Sequence, residues 1–234
     1  MQTPKAQGFW ANVLVRFRRN HLAVISLVLI VILALLCMIV PMLSHYDYSI
    51  PDFAHSLTAP GYKHWFGSDG LGRDLLVRCF IGGRITFEIA FAATSVVLGI
   101  GVVYGATAGF LGGKIDMLMM RFVDVLYGIP FLFFSILLLT LFGQSLVLSF
   151  IAIAAISWLD MARVVRGQTL SLRHREFVEA AVVYGASNWR IIFRHIIPNL
   201  IGVVIVYAAL VVPNMIVLSA VLSFFGLGVM EPMT

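Results

Sequence analysis

Residue sets that could do chemistry are few in this chain, and most are incomplete. His45, His55 and His64 fall in one polar stretch and are a conceivable metal set. Histidines scattered through a polar loop are more simply solvated, and that reading is preferred. Gly112-Gly113-Lys114 hints at a phosphate loop, but Ile115 stands where Ser or Thr is needed and the leading Gly is absent. No nucleotide site, metal or other cofactor is therefore expected. No H-E-x-x-H pair occurs, and Gly185-Ala186-Ser187 lies in a polar segment rather than an apolar run, so an intramembrane enzyme lacks its metal or nucleophile. Cys37 lies inside an apolar run and Cys79 outside it, and they are not expected to pair. Arg121 and Asp124, spaced i, i+3, can bond each other or a neighbouring helix. An ionisable pair at the start of an apolar run can be functional, but an interfacial structural pair is the preferred reading.

The elements that carry these residues are membrane spans. The chain has 234 residues, 61% hydrophobic and 12% charged, whereas a soluble domain is about half apolar and about a quarter charged. The fold class expected is an all-α membrane protein with five spans, at about 22–43, 86–110, 117–142, 146–162 and 199–218. Residues 1–21 form a basic inner segment, 44–85 an outer loop and 163–198 an inner loop. On this topology 12 of the Lys and Arg residues are inner and 4 outer, the asymmetry that sets orientation with the N-terminus in the cytosol. The first apolar run is longer than a signal-peptide core and Pro41-Met42-Leu43-Ser44 offers no cleavage site, so it is read as an uncleaved helix. Residues 71–81 read as an amphipathic segment on the membrane surface. Pro130 should kink the third span, and Pro213-Asn214 should interrupt the fifth. Residues 219–229 read as a re-entrant outer segment. Gly101, Gly105 and Gly109 repeat every fourth residue on one helical face, the pattern of close helix packing.

The longest polar interruption, 176–198, is not loop-like. Phe177, Val178, Ala181 and Tyr184 recur at helical spacing. Gly185 should end that helix and Ser187 cap a second one. A short helix with an Ala-Ala face suits docking into a partner's groove, and the residues alone equally allow an amphipathic linker on the bilayer.

Glu179-Ala180-Ala181, Gly185 and Pro198 in this register resemble the E-A-A…G…I-x-L-P loop of ABC importer permeases, with His195 for Ile and Ile197 for Leu. His64-Trp65-Phe66-Gly67-Ser68-Asp69 with Gly72-Arg73-Asp74 resembles the H-W-x-G-T-D-x-x-G-R-D signature of the C-type permeases of dipeptide, oligopeptide and nickel importers, with Ser68 for Thr. Ser157-Trp158-Leu159-Asp160-Met161-Ala162-Arg163 and Arg166-Gly167-Gln168-Thr169-Leu170-Ser171-Leu172 bring the likeness nearest to the oligopeptide branch. It extends from the basic N-terminus to Phe224-Phe225-Gly226-Leu227-Gly228.

The resemblance implies a type I ABC importer bundle, with 86–234 as its incomplete core, in a bacterial inner membrane. It implies that Glu179, Ala180, Ala181, Gly185 and Pro198 form the loop that couples to a cytosolic ATPase. The implied partners are a homologous B-type permease, two ATPase subunits that hydrolyse ATP, a periplasmic binding protein, and peptide as cargo. Dipeptides or nickel are the alternatives within that architecture. From another class, a channel or ion-coupled carrier would want charged rings, a filter loop or acids near the midplane, and such signals are thin here. The family continues past a Glu/Pro-rich turn with a Ser-Trp-Gly stretch and a sixth span, which is expected to be absent from this chain.

Overall fold

The computed structural model describes residues 15–227, the side chain of Leu146 excepted. The inner segment 1–21 is thus described only from Val15. Gly228, Glu231 and Pro232, and with them the expectation about a sixth span, lie outside the described residues. The chain divides into two compact units, Met1–Arg84 and Ile85–Thr234. Among the described residues the secondary structure is helical, with one isolated antiparallel bridge between Ser68 and Asp74.

In the first unit, α1 (His21–Leu43) starts where the Asn20 side chain accepts the Ala23 N–H at 3.3 Å. It is apolar all round, and of its residues only Cys37 is buried. That surface suits hydrocarbon rather than water. The outer loop follows and delivers the chain to α2 (Leu75–Leu111).

At 37 residues α2 is about 55 Å long, well beyond the roughly 30 Å of a bilayer core. It corrects two expectations. Residues 71–81 are not a separate surface segment, because the helix is continuous from Leu75, and the helix that holds the second span starts before residue 86. Gly82-Gly83 does not break it. A Cβ on Gly83 would lie 2.7 Å from the Cys37 sulfur, so the glycine gives α1 room to approach.

In the second unit, α3 (Gly113–Tyr127) and α4 (Phe131–Phe142) replace the single kinked third span. They are bent by 74° across Gly128-Ile129-Pro130. Pro130 has no N–H to donate and pushes Ile129 out of the helical region, so the chain restarts with Pro130 as the cap of α4. Next comes α5 (Leu146–Leu172), capped by Ser145, whose hydroxyl accepts the Leu148 N–H at 3.1 Å. It runs ten residues beyond the expected end at 162. A connector of α6 (Glu176–Val183), the four-residue α7 (Asn188–Ile191) and a π turn (Ile192–Ile196) leads into α8 (Ile197–Phe224). Pro213 does not interrupt α8, and residues 219–224 continue the same helix instead of re-entering. At its end Gly226, at φ +71°, receives the chain, with Leu227 N–H donating to Leu222 O and Gly226 N–H to Ser223 O.

Four helices are long and apolar enough to cross a membrane, His21–Leu43, Leu75–Leu111, Val147–Leu172 and Asn188–Phe224; the bent pair makes a fifth if it counts as one span. The core of the second unit is where Ala93, Val97 and Ala106 of α2 meet Leu159, Met161 and Val165 of α5 and Leu200 and Met215 of α8.

Candidate functional site

The connector between α5 and α8 is built to hold a short helix by its base and expose its tip. Glu176 and Glu179 lie in the first turn of α6, where the helix dipole favours acids. Val178 is buried and Ala181 half-buried, and both join the core that holds Ile191, Ile192 and Ile196. The four residues at helical spacing do not share one environment. Phe177 is exposed, and Tyr184 points outward at 90% exposure, because α6 ends before completing another turn toward the core.

That ending is a Schellman motif. Gly185 sits at φ +76°, Ala186 N–H donates to Ala181 O at 3.1 Å, and Gly185 N–H donates to Val182 O at 2.9 Å. Ser187 then caps α7, its hydroxyl accepting the Arg190 N–H at 3.4 Å. The tip so formed carries Val182, Val183, Tyr184 and Trp189, all exposed. Apolar side chains clustered in the open suit contact with another surface. Glu179 and Ala180 are exposed beside them. Pro198 lies in the first turn of α8 and offers no N–H to the Arg194 carbonyl, so the chain takes the wider π turn before it. The Asn199 amide donates to the His195 carbonyl at 2.6 Å.

The three spaced glycines all face α5. A Cβ on Gly101 would stand 2.6 Å from Met161 Cβ; on Gly109, 2.8 Å from both the Arg166 carbonyl and Thr169 Cβ. On Gly105 it would collide with the Ala162 carbonyl and stand 2.9 Å from Val165 Cβ. These contacts are to backbone atoms and to Cβ or Cγ atoms next to the backbone, which cannot yield as the far end of a flexible side chain does.

Two ion pairs tie α5 to α3. Arg166 grips both carboxylate oxygens of Asp116, and Arg163 Nη2 meets Asp124 Oδ1 at 2.9 Å while its guanidinium lies 4.1 Å above the Tyr127 ring. Asp124 therefore pairs across helices and not with Arg121. The Arg166–Asp116 pair was not anticipated. Its partners lie fifty residues apart, and no local spacing signals it.

In the loop between α1 and α2 the Gly-rich signature is a self-bonded knot. Asp69 accepts the N–H groups of Leu71 and Arg73 at 2.9 Å each, the Arg73 Nε at 2.8 Å, and the Arg78 guanidinium. Burial pushes its carboxyl up, but these donors outweigh burial and hold it at about 2. Asp74 accepts the Val77 N–H at the start of α2 and bonds the buried His64 Nδ1 at 2.9 Å. His55 bonds Asp52 at 2.8 Å. Gly72, at φ +80°, leaves no space for a Cβ against the Asp52 carbonyl. The signature's residues thus shape the loop.

Residues 101–233 match the family model described as the inner membrane component of binding-protein-dependent transport systems, and residues 8–60 match the N-terminal transmembrane domain of oligopeptide transport permease C. The chain is 49% identical to the oligopeptide transport system permease protein of Haemophilus influenzae over 98% of its own length and 75% of that protein. It is 50% identical to the Escherichia coli K12 protein of the same name, covering 98% of this chain and 77% of that one. Similarity to the dipeptide transport system permease of Bacillus subtilis is lower, 39% over 93% of this chain and 68% of that one.

Proposed function

The chain belongs to the family of binding-protein-dependent transport system inner membrane components, and from that membership we propose that it is the C-type permease subunit of an ATP-driven oligopeptide importer. The observation that carries the cargo class is the near-half identity to oligopeptide permeases across 98% of the chain. It is a multi-pass membrane protein, with its N-terminus in the cytosol on the charge asymmetry. A homologous B-type permease completes the path, two cytosolic ATPases hydrolyse the nucleotide, and a periplasmic binding protein delivers peptide.

The α6 tip is the part of this chain that meets an ATPase. Val182, Val183 and Tyr184 fill the partner's groove, and Ala180 and Ala181 allow close backbone approach. Because Val178 and Ile191 are buried among residues packed on α5 and α8, displacement of the tip is carried into the spans instead of being absorbed by a loose loop. Nucleotide then biases a two-state bundle by binding one state better.

The test is uptake by the reconstituted complex, with its binding protein outside and ATP inside. Tetra- and pentapeptides should accumulate, and nickel should not. Uptake limited to dipeptides would move the chain to the dipeptide branch; uptake of neither peptides nor nickel would overturn the reading.

A further inference from the structure

The α3–α4 break at Pro130 and the stretch of unbroken α8 beside Pro213 meet at one cavity of mixed polarity. It is lined by Tyr127 and Pro130 at the α3–α4 break, Ser157 and Asp160 of α5, and Tyr207 and Asn214 of α8, the last next to Pro213. Its volume is about 270 Å³. Asp160 lies fourteen residues into α5, about 21 Å along a helix that must cross roughly 30 Å of hydrocarbon. A carboxylate at that depth is costly unless something answers it.

Nothing among the described residues does. Among the described residues, no hydrogen bond or ion pair reaches the Asp160 carboxylate, the Tyr207 hydroxyl or the Asn214 amide. Arg163, one turn on, is turned instead to Asp124 and the Tyr127 ring. Pro213 leaves the Ala209 carbonyl without its usual helix donor. Broken helices in membranes persist where they line a cavity, and carbonyls and acids there suit a cation. The two tyrosine rings add faces that attract one.

We propose that this cavity is a subsite for a cationic group of the transported peptide, with Asp160 as counter-ion and Asn214 and Tyr207 as hydrogen-bonding partners. The inference rests on the permease reading. The volume falls below the roughly 300 Å³ of small-molecule pockets, so it fits one end or one side chain of a peptide, not the whole. Two groups share the chemistry, an N-terminal ammonium and a Lys or Arg side chain, and the test separates them.

Uptake is measured in the assembled importer for tri-alanine, whose only cation is its N-terminus, and for a lysine-containing tripeptide. Asp160→Asn should slow uptake about tenfold, the loss expected for one charge-assisted contact, and Asp160→Glu should restore most of it. A loss with both peptides identifies the N-terminal ammonium; a loss confined to the lysine peptide identifies the side chain. Unchanged uptake of both overturns the subsite and leaves the permease reading standing. Wild-type uptake of neither overturns both.

A second measurement does not depend on turnover. In the complex carrying Cys37→Ser and Cys79→Ser, a cysteine introduced by Ser157→Cys should react with an ammonium methanethiosulfonate about tenfold faster than with its sulfonate counterpart, after correction for free-thiol reactivity. Asp160→Asn should abolish that preference. Equal preference with and without Asp160 overturns the proposal.

Discussion

Arg166 of α5 and Asp116 of α3 form a two-point fork, Nε to Oδ1 at 2.5 Å and Nη2 to Oδ2 at 2.6 Å. Asp116 is 11% exposed and Arg166 35%, so the pair is only partly screened. Lysine cannot reproduce the fork. Arg166→Lys should destabilise the assembled complex by roughly 1–2 kcal/mol, less than the loss at a fully buried pair because of the arginine's exposure. A double-mutant cycle with Asp116→Asn, read by thermal melting, checks it. Additive single effects would mean the fork contributes no coupling.

Gly105 is the tightest of the three glycines of α2 that face α5. Gly105→Ala should cost about 1–3 kcal/mol through overpacking against backbone, and Gly105→Leu should block assembly. Gly99, on the same helix with nothing within 4 Å of its Cβ position, is the matched control. Gly99→Ala should be neutral or stabilising by up to about 1 kcal/mol. Complex yield and subunit stoichiometry decide; equal tolerance at both positions would show that α2 and α5 are not held by backbone proximity.

The legible parts of this chain were those written in local pattern. Apolar runs gave four of the spans, and the Ala-Ala, Gly and Ser spacing gave α6, its stop at Gly185 and the cap of α7. The bend at Pro130 was legible too; what failed was the reading of Pro213-Asn214 as an interruption. At Pro130, after Gly128-Ile129, the chain bends by 74°, whereas Pro213 is absorbed inside α8 and Gly82-Gly83 inside α2. Such differences are set by tertiary context, which a single residue type does not encode. The Arg166–Asp116 fork and the cavity at Asp160 were hidden for the same reason, their parts being scattered over three helices.

Asp69 makes the outer loop acid-sensitive. Its carboxyl is held at about 2, below its ordinary 3.8. A depressed folded value means the stabilisation is full above about pH 4 and is lost as pH falls toward 2. Hydrogen exchange at the Leu71 and Arg73 amides, which donate to Asp69, should therefore lose protection in that window once intrinsic rates are corrected. Asp69→Asn should lack the transition and show weaker protection at neutral pH. Unchanged protection between pH 4 and 2 in the wild type would remove Asp69 as the acid-labile group.

The tip of α6 depends on one backbone conformation. Gly185 sits at φ +76° with no atom within 4 Å of where a Cβ would stand, so any substitution there is judged by backbone strain alone. Asparagine tolerates the left-handed region and commonly replaces Gly after a helix. Valine, branched at Cβ, does not, and the strain of order 1–3 kcal/mol exceeds what a two-turn helix with one Schellman motif holds. Gly185→Asn should therefore preserve peptide uptake. Gly185→Val should leave the spans assembled but lower uptake at least tenfold, with ATP hydrolysis no longer stimulated by loaded binding protein. Because the change touches no neighbour, loss in the valine variant alone points to the shape of the tip. Wild-type uptake in Gly185→Val would mean that the tip does not need this turn, and the docking role of Glu179, Ala180 and Ala181 would fall with it.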